Sequence, residues 1–125
     1  MKVPILKLND YLIASVQSIL TDTDFLHLRD DLAEQVSRFR SRGVIIDVTV
    51  LDVMDSFAVR TLRAIAHITK LRGAETVIVG IQPEVAFAMA QLGLTLVGIS
   101  TALDLEEGLS YLDQMTKGMY DNNDR

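Results

Sequence analysis

From Val3 onward, apolar and polar positions alternate loosely: Val3, Ile5 and Leu6 lead to Asn9-Asp10, and Tyr11-Leu12-Ile13-Ala14-Ser15-Val16 follows. Two short strands around an Asn-Asp turn are the natural reading, which makes this segment a β-hairpin. The period then changes. Behind a cluster of capping side chains, Thr21-Asp22-Thr23-Asp24, apolar residues recur at Phe25, Leu28, Leu32, Val36 and Phe39. Steps of three and four predict an amphipathic helix. Its expected end is Ser41-Arg42-Gly43, where Gly43 can take the left-handed cap.

Val44-Ile45-Ile46-Asp47-Val48 is a β-branched run with apolar residues toward both sides, the mark of a strand covered on both faces. The loop from Thr49 to Asp55 opens a second helix that runs to Leu71-Arg72 before Gly73, with Ala58, Leu62, Ile65 and Ala66 on its apolar face. Thr76-Val77-Ile78-Val79-Gly80 predicts another buried strand. Pro83 suits the first turn of a third helix, with Val85, Phe87, Ala88, Met89 and Leu92 inward and Gly93 as its stop. Leu96-Val97-Gly98-Ile99 predicts a weaker strand, and Thr101-x-x-Asp104 caps a last helix carrying Leu105, Leu109, Leu112 and Met115. The order β-β-α-β-α-β-α-β-α predicts an α/β fold: a mixed, largely parallel sheet with an N-terminal hairpin and about four helices. No linker or repeat interrupts it. One domain is expected over residues 1–115, followed by a polar tail over 116–125 that frays.

Composition narrows the function. The chain has 125 residues, 49% hydrophobic and 23% charged, enough for one domain with its own core. With no cysteine, disulfides, thiolate metal sites and thiol catalysis are excluded. Two histidines give no basis for a His-rich metal site, although carboxylates alone can hold Mg²⁺ or Ca²⁺. The expectation is no cofactor and no metal. A net charge of −5 disfavours nucleic acid, which needs a basic face to neutralise phosphates. Pro4 interrupts the start where a signal peptide would run its apolar region, and no apolar run approaches the ~20 residues of a transmembrane helix. A cytoplasmic protein without nucleic-acid or membrane partners is expected.

Functional groups in such a sheet gather where strands turn into helices at their carboxyl ends. The unusual turn here runs from Asp47 to Phe57. Three carboxylates, Asp47, Asp52 and Asp55, lie around one serine, Ser56, at a helix start. Val50, Leu51, Val53, Met54 and Phe57 make the loop apolar, as a surface meant to be covered would be. Ser56 has two readings: a helix N-cap, or the residue after an Asp55 cap, on the one hand, and a phosphorylation site on the other. A phosphate there adds about −1.5 to −2 charges at the positive end of a helix and beside Asp52 and Asp55. The fold would survive and the interface would change.

On the second helix Arg60, Arg63, His67 and Lys70 step by three and four and form one basic stripe opposite the apolar face. It is either a solvated face or a docking face for an acidic partner or another copy of the chain. Arg60 is also one turn from Ser56, within reach of a phosphate there. Nucleophilic catalysis lacks support: Ser56 and His67 stand about 16 Å apart along one helix axis, and no G-x-S-x-G, P-loop or G-x-G-x-x-G occurs.

The strand ending in Ile46-Asp47 and the helix opening with Asp55-Ser56-Phe57, set in this element order, resemble the STAS domain of anti-sigma factor antagonists over roughly residues 3–115. Within the family the chain is similar to the small stressosome scaffolds. It is expected to be a bare STAS domain, and it has Phe57 where sporulation antagonists typically have Gly. The resemblance implies a non-enzymatic scaffold that assembles with larger STAS-domain paralogues and with itself. It would sequester a serine-protein kinase of the GHKL ATPase type, release it when Ser56 is phosphorylated, and be reset by a phosphatase. Asp47 and Asp55 match the acidic positions flanking that serine. Arg60 follows where larger paralogues can carry a further phosphorylated Thr, so one site is carried over. Two other readings stand beside this one: a monomeric anti-sigma factor antagonist regulated by serine phosphorylation, and a ligand- or nucleotide-sensing STAS domain.

Overall fold

A computed structural model describes the backbone of residues 2–123 and the side chains of residues 2–117. Strands β1 (Ile5–Leu8) and β2 (Tyr11–Ser15) pair antiparallel through a turn in which Asn9 has φ 54°. Helix α1 (Asp22–Phe39) then leads to β3 (Gly43–Asp47), α2 (Ser56–Leu71), β4 (Glu75–Val79), α3 (Pro83–Gln91), β5 (Ser100–Ala102) and α4 (Leu105–Asn123). The sheet order is β1-β2-β3-β4-β5, and every pair after the first is parallel. This is the mixed, largely parallel sheet that the apolar periods predict.

Apolar burial places three helices on one face and one on the other. Leu28 and Leu32 of α1, Leu62 and Ile65 of α2 and Val85 and Met89 of α3 pack with Leu12, Val44, Ile46 and Ile78 of the sheet. On the opposite face Leu112 of α4 packs on Tyr11, Ile13, Ile45, Val77 and Val79. The central strands are therefore apolar to both sides because both sides are covered.

Thr21 and Asp24 cap α1 reciprocally: the Asp24 N–H donates to Thr21 Oγ1 at 3.1 Å, and the Thr21 N–H donates to Asp24 Oδ2 at 3.0 Å. The other end differs from expectation. Arg40, with φ 51°, takes the left-handed cap, and Gly43 begins β3 instead. A Cβ on Gly43 would lie 2.8 Å from Leu112 and 3.0 Å from Tyr11, so this glycine serves close packing rather than a turn. Phe39, expected in the core, is exposed, with the Lys7 and Arg38 cations over its ring.

The last third of the chain departs further. In α3 only Val85 and Met89 are buried, while Phe87, Ala88 and Leu92 face outward. The helix is short, and a single stripe reaches the sheet. Gly93, with φ 67°, does end it. Leu96–Ile99 forms a turn closed by Ile99 N–H to Leu96 O at 3.0 Å, and the edge strand falls at Ser100–Ala102. Thr101 consequently lies within β5. Asp104 caps α4, accepting the Glu107 N–H at 2.9 Å, and Glu107 Oε1 accepts the Leu103 N–H at 3.1 Å. Of the residues expected on the inner face of α4, Leu112 is buried and Leu109 half-buried, while Leu105 and Met115 are exposed. The α4 backbone passes through Thr116, which is buried and hydrogen-bonded to Tyr11, and continues to Asn123. The remainder of the expected polar tail, Asp124 and Arg125, lies outside the described residues.

Candidate functional site in the β3–α2 loop

The sheet fixes both ends of this loop. At the end of β3 the Asp47 carbonyl accepts the Val16 N–H at 3.0 Å, and the next N–H, of Val48, donates to Val79 O at 3.0 Å. The chain then turns, with Leu51 N–H on Val48 O at 2.9 Å. Leu51 and Met54, two of the five apolar loop residues, enter the core at 3% and 5% exposure. Phe57 is half-buried against the same core. Apolar character in this loop is thus partly structural: Val50 and Val53 remain outside, Val53 at 76% exposure. Together with Ile19, Leu20, Phe25 and Asp52, Val53 and Leu51 line a shallow cleft of about 250 Å³.

Two of the three carboxylates are engaged by backbone. Asp47 Oδ1 accepts from the Thr49 N–H at 2.9 Å and from the Thr49 hydroxyl at 2.6 Å. Asp55 is the N-cap of α2 and accepts the Ala58 N–H at 2.8 Å. Asp52 is exposed on the loop. Ser56 is the first helical residue, exposed, and its hydroxyl has no hydrogen-bond partner among the described residues. Cap and serine are therefore separate: Asp55 holds the helix end, and Ser56 stands free beside it at the positive end of the helix dipole.

Further along α2, Arg60, Arg63, His67 and Lys70 are all exposed. Arg63 donates to Thr95 O at 3.3 Å, and Lys70 pairs with Glu75 at 3.4 Å. A second clamp on the loop was not legible in the pattern of residues. Gln82 Nε2 donates to Thr49 O at 2.7 Å, and Gly80, with φ 80°, lies so close that a Cβ there would sit 2.0 Å from Thr49 Oγ1. A glycine directly after a buried strand was the available sign, since such a position tolerates close backbone approach. Thr49 is consequently gripped from its own loop by Asp47 and from the β4–α3 connection by Gln82.

Among the described residues no group of three or more His, Asp or Glu side chains is placed to hold a metal ion. Among them, too, no helix is long and apolar enough to cross a membrane.

A five-stranded mixed sheet with an N-terminal antiparallel hairpin and four helices is the arrangement of a STAS domain. Residues 3–108 match that family, and the chain belongs to it. Among solved structures it is similar to a serine-to-glutamate variant of RsbS from Moorella thermoacetica. That structure is 32% identical, with a TM-score of 0.80 over 94% of this chain and 99% of that one. It is also similar to a chain of the stressosome, described as a signal integration and transduction hub. The identity there is again 32%, with a TM-score of 0.73 over 90% of this chain and 98% of that one. The RsbT co-antagonist protein RsbRA of Bacillus subtilis is 29% identical over 89 residues, or 71% of this chain. The chain spans about a third of the length of RsbRA, 32%.

Proposed function

We propose that this chain is a non-enzymatic stressosome scaffold and antagonist, with Ser56 as its switch. In this reading it sequesters a serine-protein kinase of the GHKL ATPase type. Phosphorylation of Ser56 by that kinase releases the kinase to activate a stress-response pathway, and a phosphatase resets the scaffold. Larger STAS-domain paralogues and further copies of the chain complete the assembly, in the cytoplasm. Two relatives support this reading: one is a stressosome chain, and another is by its name a co-antagonist of RsbT.

The observation that carries the proposal is the division of labour between Asp55 and Ser56. A serine that capped α2 would lose a helix-stabilising bond on modification. Here Asp55 makes that bond, and the exposed Ser56 hydroxyl makes none. A phosphate on Ser56 is compatible with the helix end electrostatically, and Arg60 is placed one turn on to meet it. It would also add about −1.5 to −2 charges to a loop that already exposes Asp52 and the apolar Val53. A partner docked on that surface would then face charge repulsion and the cost of desolvating the phosphate.

The test is intact mass after incubation with ATP, Mg²⁺ and a candidate partner kinase, beside a Ser56→Ala control. One added phosphate on the wild type and none on the control supports the reading. No phosphate from a kinase shown to be active on another substrate removes Ser56 from the mechanism.

A further inference from the structure

The connections that leave β3 and β4 part company after one last shared bond, from the Val48 N–H to Val79 O at 3.0 Å. Beyond it β3 continues into the Ser56 loop, and β4 into Gly80, Ile81 and Gln82, the residue before α3. One side chain bridges the gap. Gln82 Nε2 donates to the Thr49 carbonyl oxygen at 2.7 Å, across 33 residues of chain. Gln82 is also the N-cap of α3, yet its side chain makes no cap bond there. Pro83 fills the first turn of that helix, where a missing N–H is tolerated. The amide is thus committed to the neighbouring loop rather than to its own helix.

What this bond holds is the near end of the loop and not the serine. Ser56 is fixed independently, as the first residue of a helix capped by Asp55. Leu51 and Met54 are anchored in the core. Between buried Val48 and buried Leu51 lie Thr49 and Val50, both exposed. Asp47 also grips Thr49, but from two residues away at the same strand end, so that grip cannot set the stretch relative to β4. Gln82 supplies this reference from a separate element.

We propose that Gln82 is a positioning residue for kinase capture, ordering Thr49 and Val50 so that the surface of the loop leading to Ser56 is preformed. The inference deepens the proposed function and rests on it. A preformed surface spares the partner the entropy of ordering it. Without the tie the loop divides its time between the docking geometry and others, and the apparent affinity falls with the competent fraction. Once the complex has formed, transfer to Ser56 is unaffected, because the helix end that carries the serine is intact. The signature is a change in KM without a change in kcat.

Steady-state phosphate transfer by one candidate partner kinase with ATP and Mg²⁺, at varied concentrations of this chain, tests the inference on wild type, Gln82→Met and Gln82→Lys. Methionine keeps the length of the side chain without a donor, and lysine restores an N–H donor. Circular dichroism confirms that each variant folds. For Gln82→Met the expected KM is about three- to tenfold higher, the worth of one exposed hydrogen bond, with kcat within about twofold of wild type. Gln82→Lys should recover most of that loss. Amide exchange reads the loop itself. The Leu51 N–H, which closes the turn on Val48 O, should exchange about three- to tenfold faster in Gln82→Met, while that of Ile45 within β3 should not change. An unchanged KM, a fall in kcat at constant KM, an unchanged Leu51 exchange rate, or Gln82→Lys no better than Gln82→Met would each overturn the inference. A wild type that accepts no phosphate overturns the Ser56 reading, and the capture role of Gln82 with it. The exchange comparison alone still decides whether the clamp orders the loop, which keeps the two failures apart.

Discussion

Asp47 Oδ1 holds Thr49 by two bonds, one to its backbone N–H at 2.9 Å and one to its hydroxyl at 2.6 Å. This is where β3 hands the chain to the loop that presents Ser56. Removing the carboxylate with Asp47→Ala should cost about 1 kcal/mol, the usual net worth of exposed bonds of this kind. The larger effect is expected on function, because Thr49 would then be held only by Gln82. Urea unfolding should show a small fall in midpoint, while phosphate transfer to Ser56 falls several-fold. An unchanged transfer rate would mean that the loop needs no anchor.

Asp55 and Ser56 should separate cleanly in stability. Asp55→Ala removes the cap on the Ala58 N–H and should destabilise the fold by about 1 kcal/mol, whereas Asp55→Asn keeps an acceptor and should cost less. Ser56→Ala removes a hydroxyl without a partner and should stay within about 0.5 kcal/mol of wild type. Thermal melts of the three variants check this. A Ser56→Ala loss as large as that of Asp55→Ala would make the serine a cap after all.

Most of the fold was legible where burial dictates the period. The core helices α1 and α2 announce themselves through Leu28, Leu32, Leu62 and Ile65, and β3 and β4 through unbroken β-branched runs. Legibility fails where apolar residues stay outside. Phe87, Leu92 and Val97 look like core in sequence and are 65%, 71% and 79% exposed. Counted as buried, they lengthen the inner face of α3 and pull the last strand four residues too early. Gly43 misleads for a different reason: a glycine after a helix suggests a cap, but here contact with Leu112 and Tyr11 leaves no space for a side chain. At the site, the Asp47–Ser56 turn stands out as carboxylates around a serine. Its clamp from Gln82 and Gly80 does not, because that depends on β4 lying beside β3.

Gly108 should resist substitution although it sits in a helix. A Cβ there would lie 2.7 Å from Val79 Cγ1, where α4 crosses the sheet. Helix propensity favours Ala over Gly by up to about 1 kcal/mol, but overpacking costs about 1–3 kcal/mol. Gly108→Ala should therefore destabilise on balance. In a double-mutant cycle with Val79→Ala the two losses should add to less than their sum, since the truncated valine makes room. Additive losses would place the strain elsewhere.

Tyr11 ties the start of the sheet to α4 through its hydroxyl, which donates to Asp113 Oδ1 at 2.6 Å and lies 3.0 Å from Thr116 Oγ1. Burial of the phenol, reinforced by the neighbouring Asp113 carboxylate, raises its pKa above the ordinary 10.0. The folded state thus keeps a proton that the unfolded chain gives up. Its contribution to stability is complete below pH 10 and is lost as the pH rises through the folded value. The difference in absorbance at 295 nm between wild type and Tyr11→Phe should titrate with a midpoint above 10. Tyr11→Phe should also lose about 1–2 kcal/mol at neutral pH, having left Asp113 and Thr116 without their partner. A midpoint at or below 10 would contradict this account.

Kinase capture should respond to charge at Ser56 and not to the loss of its hydroxyl. Ser56→Asp places a carboxylate at the first position of α2, where the helix dipole favours it, so the fold should melt at or slightly above the wild-type temperature. The same charge falls three and four residues along the chain from the exposed Val53 and Asp52, on the loop where capture is proposed. Repulsion and desolvation there should weaken kinase binding by roughly tenfold or more, a range typical of a charge placed against an interface. Ser56→Ala keeps the surface neutral and should hold the kinase as tightly as wild type while accepting no phosphate. Calorimetric titration of one kinase preparation into the three proteins decides the matter: equal affinities would show that capture does not read the charge at Ser56, and the switch would have to lie in another surface.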